Sequence, residues 1–167
     1  ILSLLIVIDD RGSVFFVQKR VGKGKKLFPI LKFRTMKTKT PHDTPTHLLS
    51  DPDQYITRVG RFLRKTSLDE LPQLFNILKG DMSLVGPRPE RPFFVEKFRE
   101  EIPRYMIKHQ VRPGLTGWAQ VNGFRGDTSI KKRIEYDLYY IENWTMGLDF
   151  KILFLTFFKG FVNKNAY

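Results

Sequence analysis

The stretch KTSLDELPQLFNILKGDMSLVGPRPE, Lys65–Glu90, decides how the chain is read. Two carboxylates, Asp69 and Glu70, stand side by side between a Ser and a Leu-Pro. Ser67-Leu-Asp-Glu70 matches a capping box, in which the Ser caps a helix start and the Glu three residues on reaches back to it. Pro72 interferes with that reading. With Ser67 as the N-cap, Pro72 falls where an intrahelical bond is needed, yet it has no N–H and its ring clashes with the Leu68 carbonyl. The helix therefore kinks at Pro72 or begins nearer Asp69. In the second case both carboxylates lie on a first helical turn, where unpaired N–H groups point outward and attract phosphates.

The approach to the pair is lined with cations: Arg58, Arg61, Arg64 and Lys65. A carboxylate set among phosphate-binding groups has two uses. It can hold Mg²⁺, which takes one or two protein carboxylates plus substrate phosphates, or it can attack phosphorus and form an acyl phosphate. Adjacent helical residues point about 100° apart. Symmetric chelation of one ion is then awkward, and unlike roles, one nucleophile and one metal ligand, are more natural. Downstream, Pro87-Arg88-Pro89 presents a guanidinium from a stiff loop, because the prolines fix their own φ and Pro89 restricts Arg88 to extended backbone. Such preorganisation suits bidentate phosphate recognition. Arg112-Pro113-Gly114 is a weaker signal of the same kind. Trp118 and the Gln120–Asn122 stretch read as a packed, turn-rich junction with no chemistry assigned.

Working outward, Val14–Val21 and Leu27–Met36 are rich in β-formers and flank Gly22-Lys-Gly24-Lys, which predicts a β-hairpin. Period-two alternation puts Lys32 and Arg34 on one face of the second arm, within reach of one phosphate. Lys37–Asp53 is rich in Thr, Pro and Asp and reads as a loop; its His42 and His47 are expected to be solvated rather than metal-bound. Thr57–Lys79 has a helical pattern, with Leu68, Leu71, Phe75 and Leu78 at helical spacing and Gly80 as its stop. Phe93–His109 is a second amphipathic helix interrupted at Pro103, and Thr128–Glu142 a third. No repeat or linker divides the chain, so residues 1–167 are read as a single α/β domain, helix-dominated with a small β-hairpin.

Composition restricts the partners. The 167 residues are 41% hydrophobic with 15 Phe, which excludes a disordered chain, and the absence of Cys excludes disulfides and thiolate metal sites. A formal charge of +12, with ten basic and no acidic residues between Arg11 and Thr40, favours polyanions: nucleic acid, anionic lipid or phosphorylated substrates. Ile1–Ile8 is apolar but too short to span a bilayer; it reads as the end of a longer hydrophobic segment or as a buried first element. Leu148–Val162 is nearly all apolar with Lys151 and Lys159 set into it. That pattern suits a helix lying in a membrane interface, with lysines at the headgroups, although a core helix has the same periodicity.

Taken together, DDRGSVFFVQKRVGK, KFRTM, RKTSLDELPQLFNILKGDMSLVGPRPE, VRPGLTGWAQVNG and YDLYYIENW closely resemble, in order, the motifs of the bacterial sugar transferase family, the monotopic polyprenyl-phosphate sugar-1-phosphate transferases. The resemblance covers essentially the whole chain. It implies a membrane-associated α/β domain with a re-entrant N-terminal helix, of which Ile1–Ile8 matches only the end, and interfacial amphipathic helices. It implies transfer of a sugar-1-phosphate from a nucleotide sugar, usually a UDP-sugar, to polyprenyl (undecaprenyl) phosphate at the cytoplasmic face of the bacterial inner membrane, with UMP as co-product. This step starts capsule, exopolysaccharide, O-antigen or glycoprotein glycan assembly. Carried over by residue, Asp69 is the expected nucleophile, Glu70 the Mg²⁺ ligand, and Arg64, Arg88, Lys32 and Arg34 the phosphate-binding cations. Ser13 stands where the family usually has Pro.

Two rival readings use the same residues. A basic nucleic-acid-binding module would stack bases on Phe15, Phe16, Phe28 and Phe33 and would need no acidic pair. A metal-dependent nucleotide-sugar hydrolase would use Asp69 and Glu70 with water as acceptor. The apolar termini favour the transferase and a protein without a nucleic-acid partner.

Overall fold

A computed structural model of the chain describes residues 1–40, 51–125 and 128–160. His42 and His47 lie outside the described residues. Helix α1 (Leu2–Asp9) leads into an antiparallel hairpin, β1 (Phe15–Val21) and β2 (Leu27–Phe33), in which Phe16 pairs with Lys32 and Val21 with Leu27. The turn between them is tight because Gly24 and Lys25 both take positive φ, +64° and +63°. Strand β2 stops at Phe33, short of the expected Met36, which instead makes an isolated bridge to Ile56. The loop expected to run to Asp53 closes in a 3-10 turn, Pro52–Tyr55.

Helix α2 (Arg58–Thr66) is capped by Thr57, whose hydroxyl accepts from Gly60 N, and by Asp9, whose carboxylate accepts from Val59 N. After a 3-10 turn at Leu68–Glu70 comes α3 (Gln73–Lys79), stopped by Gly80 at φ +87°. Two three-residue strands that the sequence does not announce, β3 (Ser83–Val85) and β4 (Gly114–Thr116), pair in parallel. Between them run α4 (Pro92–Glu101) and a 3-10 turn, Tyr105–Gln110, separated at Pro103 as its ring requires. Helices α5 (Trp118–Val121), α6 (Ile130–Glu142) and α7 (Met146–Gly160) complete the order. The architecture is α/β and helix-dominated, with two small sheets rather than the single hairpin.

Three apolar clusters hold these elements. Val21, Val95, Ile102, Tyr105, Ile134 and Leu138 join the hairpin to α4 and α6. Val85, Val121, Tyr140 and Ile152 join β3, α5, α6 and α7, and Phe28 and Ile30 of β2 cluster with Met82. Phe28 is thus a core residue, and Phe15 and Phe33 stack on each other at 5.7 Å, so these rings pack the hairpin.

Helix α3 has the opposite polarity to an ordinary surface helix. Its buried face carries Gln73 and Asn76, while Leu74, Phe75 and Leu78 are exposed, Leu78 to 84%. Asn76 offsets its burial by acting as a strand partner for β2: its Oδ1 accepts from Leu31 N at 3.0 Å and its Nδ2 donates to Pro29 O at 2.8 Å. Exposed apolar side chains also stand on α1 (Leu4, Leu5, Ile8) and α7 (Phe150, Phe154, Phe157, Phe158). No helix among the described residues is long and apolar enough to cross a membrane.

Candidate functional site

The acidic pair sits in the break between α2 and α3. Ser67 ends α2 in the left-handed region, at φ +56°, a conformation that terminates helices. Pro72, with no N–H to give, delays the next α-helix to Gln73. What remains is the short 3-10 turn Leu68–Glu70. The capping-box expectation is therefore corrected. Ser67 makes no side-chain cap bond, and the carboxylates are not on the first turn of an α-helix. Its hydroxyl instead accepts from Arg125 Nη1 at 3.2 Å. On a 3-10 turn successive side chains diverge by about 120°, even more than in an α-helix.

That divergence gives the two carboxylates different surroundings, though both are only 5% exposed. Glu70 Oε1 faces Lys32 Nζ at 2.8 Å, Arg88 Nη2 at 3.3 Å and Arg125 Nη2 at 3.6 Å. Burial pushes the Glu70 carboxyl up, but Lys32, Arg88 and Arg125 outweigh it and hold the group well below the usual carboxylate range. Asp69 Oδ1 is buried with no hydrogen-bond partner among the described residues. The Asp69 pKa is raised, chiefly by burial; the Glu70 charge adds to this, while Lys32, Arg125 and Arg64 oppose it. One carboxylate thus has its Oε1 among three cations that favour its ionised form, while its neighbour has an oxygen with no hydrogen-bond partner among the described residues.

The cations arrive from four separate elements. Lys32 comes from β2, directly opposite Phe16. Arg64 comes from the last turn of α2, where Nε donates to Thr35 Oγ1 at 2.9 Å. Helix α2 lies that close because Gly60 has no side chain: a Cβ there would fall 2.1 Å from the Thr35 carbonyl oxygen. Arg88 comes from the Pro87–Glu90 loop after β3. Arg112-Pro113-Gly114 resolves as support for that loop: Arg112 is exposed, while Gly114 N donates to Pro87 O at 2.9 Å. The approach is glycine-only, since a Cβ on Gly114 would stand 2.1 Å from Gly86 N.

Of the residues expected from the sequence, Asp69, Glu70, Lys32, Arg64 and Arg88 are brought together. Arg34 is not. Strand β2 has ended before it, and its guanidinium is used on the Asp10 carboxylate, the Asp10 carbonyl and the Ser13 carbonyl. It ties α1 to the hairpin. Arg58, Arg61 and Lys65 are exposed on α2, outside the cluster. Arg125 joins the cluster unannounced. It lies 58 residues from its hydrogen-bond partner Ser67, and no spacing rule connects it to the acidic pair.

Two adjacent carboxylates meet the minimum that Mg²⁺ takes from a protein. No group of three or more candidate ligands (His, Cys, Asp or Glu) occurs among the described residues. Four cations around two carboxylates leave the pocket net positive. The residues fit a divalent ion only beside an anion that supplies the remaining charge and oxygens.

Among known proteins, the similarity is extensive. Residues 1–163 match the family model for bacterial sugar transferases. The chain is 48% identical over 170 residues to a UDP-glucose:undecaprenyl-phosphate glucose-1-phosphate transferase of Escherichia coli (strain K12), covering 99% of this chain and 36% of that protein. It is 49% identical over 156 residues to a UDP-N-acetylgalactosamine-undecaprenyl-phosphate N-acetylgalactosaminephosphotransferase of Aeromonas hydrophila, covering 92% of this chain and 37% of that protein. It is 47% identical over 165 residues to the uncharacterized sugar transferase EpsL of Bacillus subtilis (strain 168), covering 98% of this chain and 78% of that protein. The chain therefore spans about a third of the length of the first two relatives.

Proposed function

The chain belongs to the bacterial sugar transferase family, and from that premise we propose that it transfers a sugar-1-phosphate from a UDP-sugar to polyprenyl phosphate, as one catalytic domain, through a covalent intermediate on Asp69. The observation that carries this reading is the unpartnered, buried Asp69 Oδ1 inside a ring of cations. An oxygen with no hydrogen bond to break is free to attack, and the surrounding charge stabilises what forms.

In the first half-reaction an Asp69 oxygen attacks the phosphorus that bears the sugar. The bridging P–O bond of the diphosphate breaks, and its electron pair leaves with UMP. In the second, a polyprenyl phosphate oxygen attacks the same phosphorus. The acyl–phosphate bond breaks, and the Asp69 carboxylate is restored. Each anionic partner in turn uses the same cations, with Arg88 and Arg125 offering planar forks and Lys32 a point charge. Phosphoryl transfer depends mostly on such positioning and charge neutralisation. Glu70 keeps its charge throughout, so it can orient Lys32, Arg88 and Arg125 and serve as the protein ligand of Mg²⁺. If bound with the donor, that ion would supply charge neutralisation at the diphosphate.

The exposed apolar faces of α1, α3 and α7 suit a membrane interface, where the acceptor's lipid chain resides. Helix α3 follows Glu70 after only Leu71 and Pro72, so its outward Leu74, Phe75 and Leu78 would place the site at headgroup level, at the cytoplasmic face of the inner membrane. The named donors of the relatives differ, glucose in one and N-acetylgalactosamine in another, so the sugar is assigned by experiment. Incubation with a panel of UDP-sugars and undecaprenyl phosphate should release UMP with one or a few donors and form a lipid-linked product. Release of free sugar phosphate, indifferent to added acceptor, would refute the transferase reading.

A further inference from the structure

Behind Arg88 lies a second set of buried charges that the proposed chemistry does not use. Glu90 is 8% exposed, and its Oε1 faces Arg133 Nη1 of α6 at 3.2 Å. The backbone around it is held as well. The Glu90 carbonyl accepts from Val21 N at 3.0 Å and the Pro89 carbonyl from Arg20 Nη1 at 3.1 Å, both from β1. Arg91 Nε donates to Gln18 Oε1 at 3.1 Å. On the other side, Gly86 N donates to Thr116 O and Gly114 N to Pro87 O, both at 2.9 Å. The loop is pinned at both ends, while Arg88 reaches forward to Glu70.

We propose that Glu90, through its ion pair with Arg133, is a positioning residue that sets where the Arg88 guanidinium meets the transferred phosphate; this rests on the transferase reading above. The lever is short. Only Pro89 separates the two residues, its φ is fixed, and it restricts Arg88 to extended backbone. A shift at Glu90 therefore passes to Arg88 with little slack. Stability alone is a weak reason for such a pair, because buried ion pairs are often matched by apolar residues of similar volume. Its value lies in direction: a charged, hydrogen-bonding contact fixes an angle that apolar packing leaves loose.

A double-mutant cycle tests this in the full-length enzyme. Unsubstituted protein, Glu90→Gln, Arg88→Lys and the double variant are compared for UMP release with UDP-glucose (or whichever UDP-sugar proves active) and undecaprenyl phosphate. UDP affinity by calorimetry and thermal midpoint are measured alongside. Glu90→Gln should lower kcat/KM by about 10- to 100-fold, as misplacement of a binding group does. Once Arg88→Lys is present, Glu90→Gln should cost no more than about 2-fold further, because the residues act as one unit. Full additivity, or unchanged kcat/KM in Glu90→Gln, overturns the proposal; a purely structural Glu90 would lower the midpoint without coupling to Arg88. If Glu90→Gln does not fold, Arg20→Gln loosens the same loop from the strand side and is judged by the same cycle. An unsubstituted enzyme that releases no UMP from any donor refutes the transferase reading instead, and the cycle in UDP affinity still decides the positioning role.

Discussion

Two clusters of buried charge meet at the Pro87–Glu90 loop, and they are built on different principles. In front, Lys32, Arg64, Arg88 and Arg125 surround Asp69 and Glu70, four cations to two acids. Behind, Lys108 and Arg133 face Asp137 and Glu90, two to two; Lys108 and Asp137 side chains are each 2% exposed, with Nζ and Oδ2 3.2 Å apart. The rear cluster is neutral, each acid set against a cation, which is what burial demands of charges left without water. The front cluster is unbalanced, and its Asp69 Oδ1 has no hydrogen bond and no ion pair among the described residues, whereas Asp137 Oδ2 behind, which also lacks a hydrogen bond there, is ion-paired to Lys108. Folding alone gives no reason to keep it so. An incoming anion does.

The comparison predicts that substitutions in front mainly affect turnover and that those of the Lys108–Asp137 pair behind mainly affect stability, with Glu90, which joins the rear cluster to Arg88, as the exception. The largest effect belongs to Asp69→Asn. Turnover should fall by roughly 10⁴-fold or more, as for loss of a nucleophile, with covalent labelling by the donor abolished. The fold should be retained, checked by an intact thermal transition, since Asn keeps the shape of the Asp69 side chain. Retained labelling elsewhere in the chain would break the assignment. Next, Lys108→Met leaves Asp137 buried without its partner and should cost about 3–5 kcal/mol of stability in urea titrations. Adding Asp137→Leu should restore most of that loss; no recovery would mean that the two side chains do not act as a unit.

His109 sharpens the contrast through pH. It is 5% exposed beside Lys108, and burial first, then Lys108, pushes its pKa down to about 4 from 6.5. The folded chain keeps the ring neutral while the unfolded chain protonates it. Stability contributed by this group is therefore complete above about pH 6.5 and lost as pH falls toward 4, by up to about 3 kcal/mol. His109→Gln should flatten that part of the stability–pH curve, and an unchanged slope would place the titration elsewhere. The smallest predicted effect is at the rim of the front cluster. Arg125→Lys keeps the charge but loses the fork shared between Ser67 and Glu70, and should reduce kcat/KM by about 10-fold without changing stability. Near-normal rates would reduce Arg125 to a structural tie for Ser67.

Much of the front cluster is legible in the amino-acid order alone. The Asp69–Glu70 pair, the stiff Pro-Arg-Pro presentation of Arg88 and the hairpin that carries Lys32 are local patterns with local causes. The misreadings concern what lies beyond the local chain. Strict alternation puts Arg34 beside Lys32, but alternation holds only while the strand lasts, and β2 ends at Phe33. The capping box is plausible by sequence, but Ser67 takes the left-handed region and its hydroxyl accepts from Arg125. The leucine and phenylalanine spacing around α3 identifies a helix correctly without showing that the apolar side faces out. Periodicity reports that two faces differ, not which of them the fold covers. Strands β3 and β4, three residues each, are too short for any period to register.

By itself, then, the sequence determined the breaks and the inventory: proline and glycine punctuation, a hairpin, an acidic pair at a helix interruption, and a large cationic excess. These follow from φ restrictions and composition, which act over a few residues or on the whole chain at once. Only the tertiary structure decided which cations the excess supplies to Glu70, that Arg34 is diverted to Asp10, and that an Asp69 oxygen is left unpartnered. Those outcomes join residues as far apart as Lys32, Glu70 and Arg125. Contacts at that separation are set by the packing of whole elements, through details such as the bare backbone of Gly60 against Thr35, and no local rule encodes them.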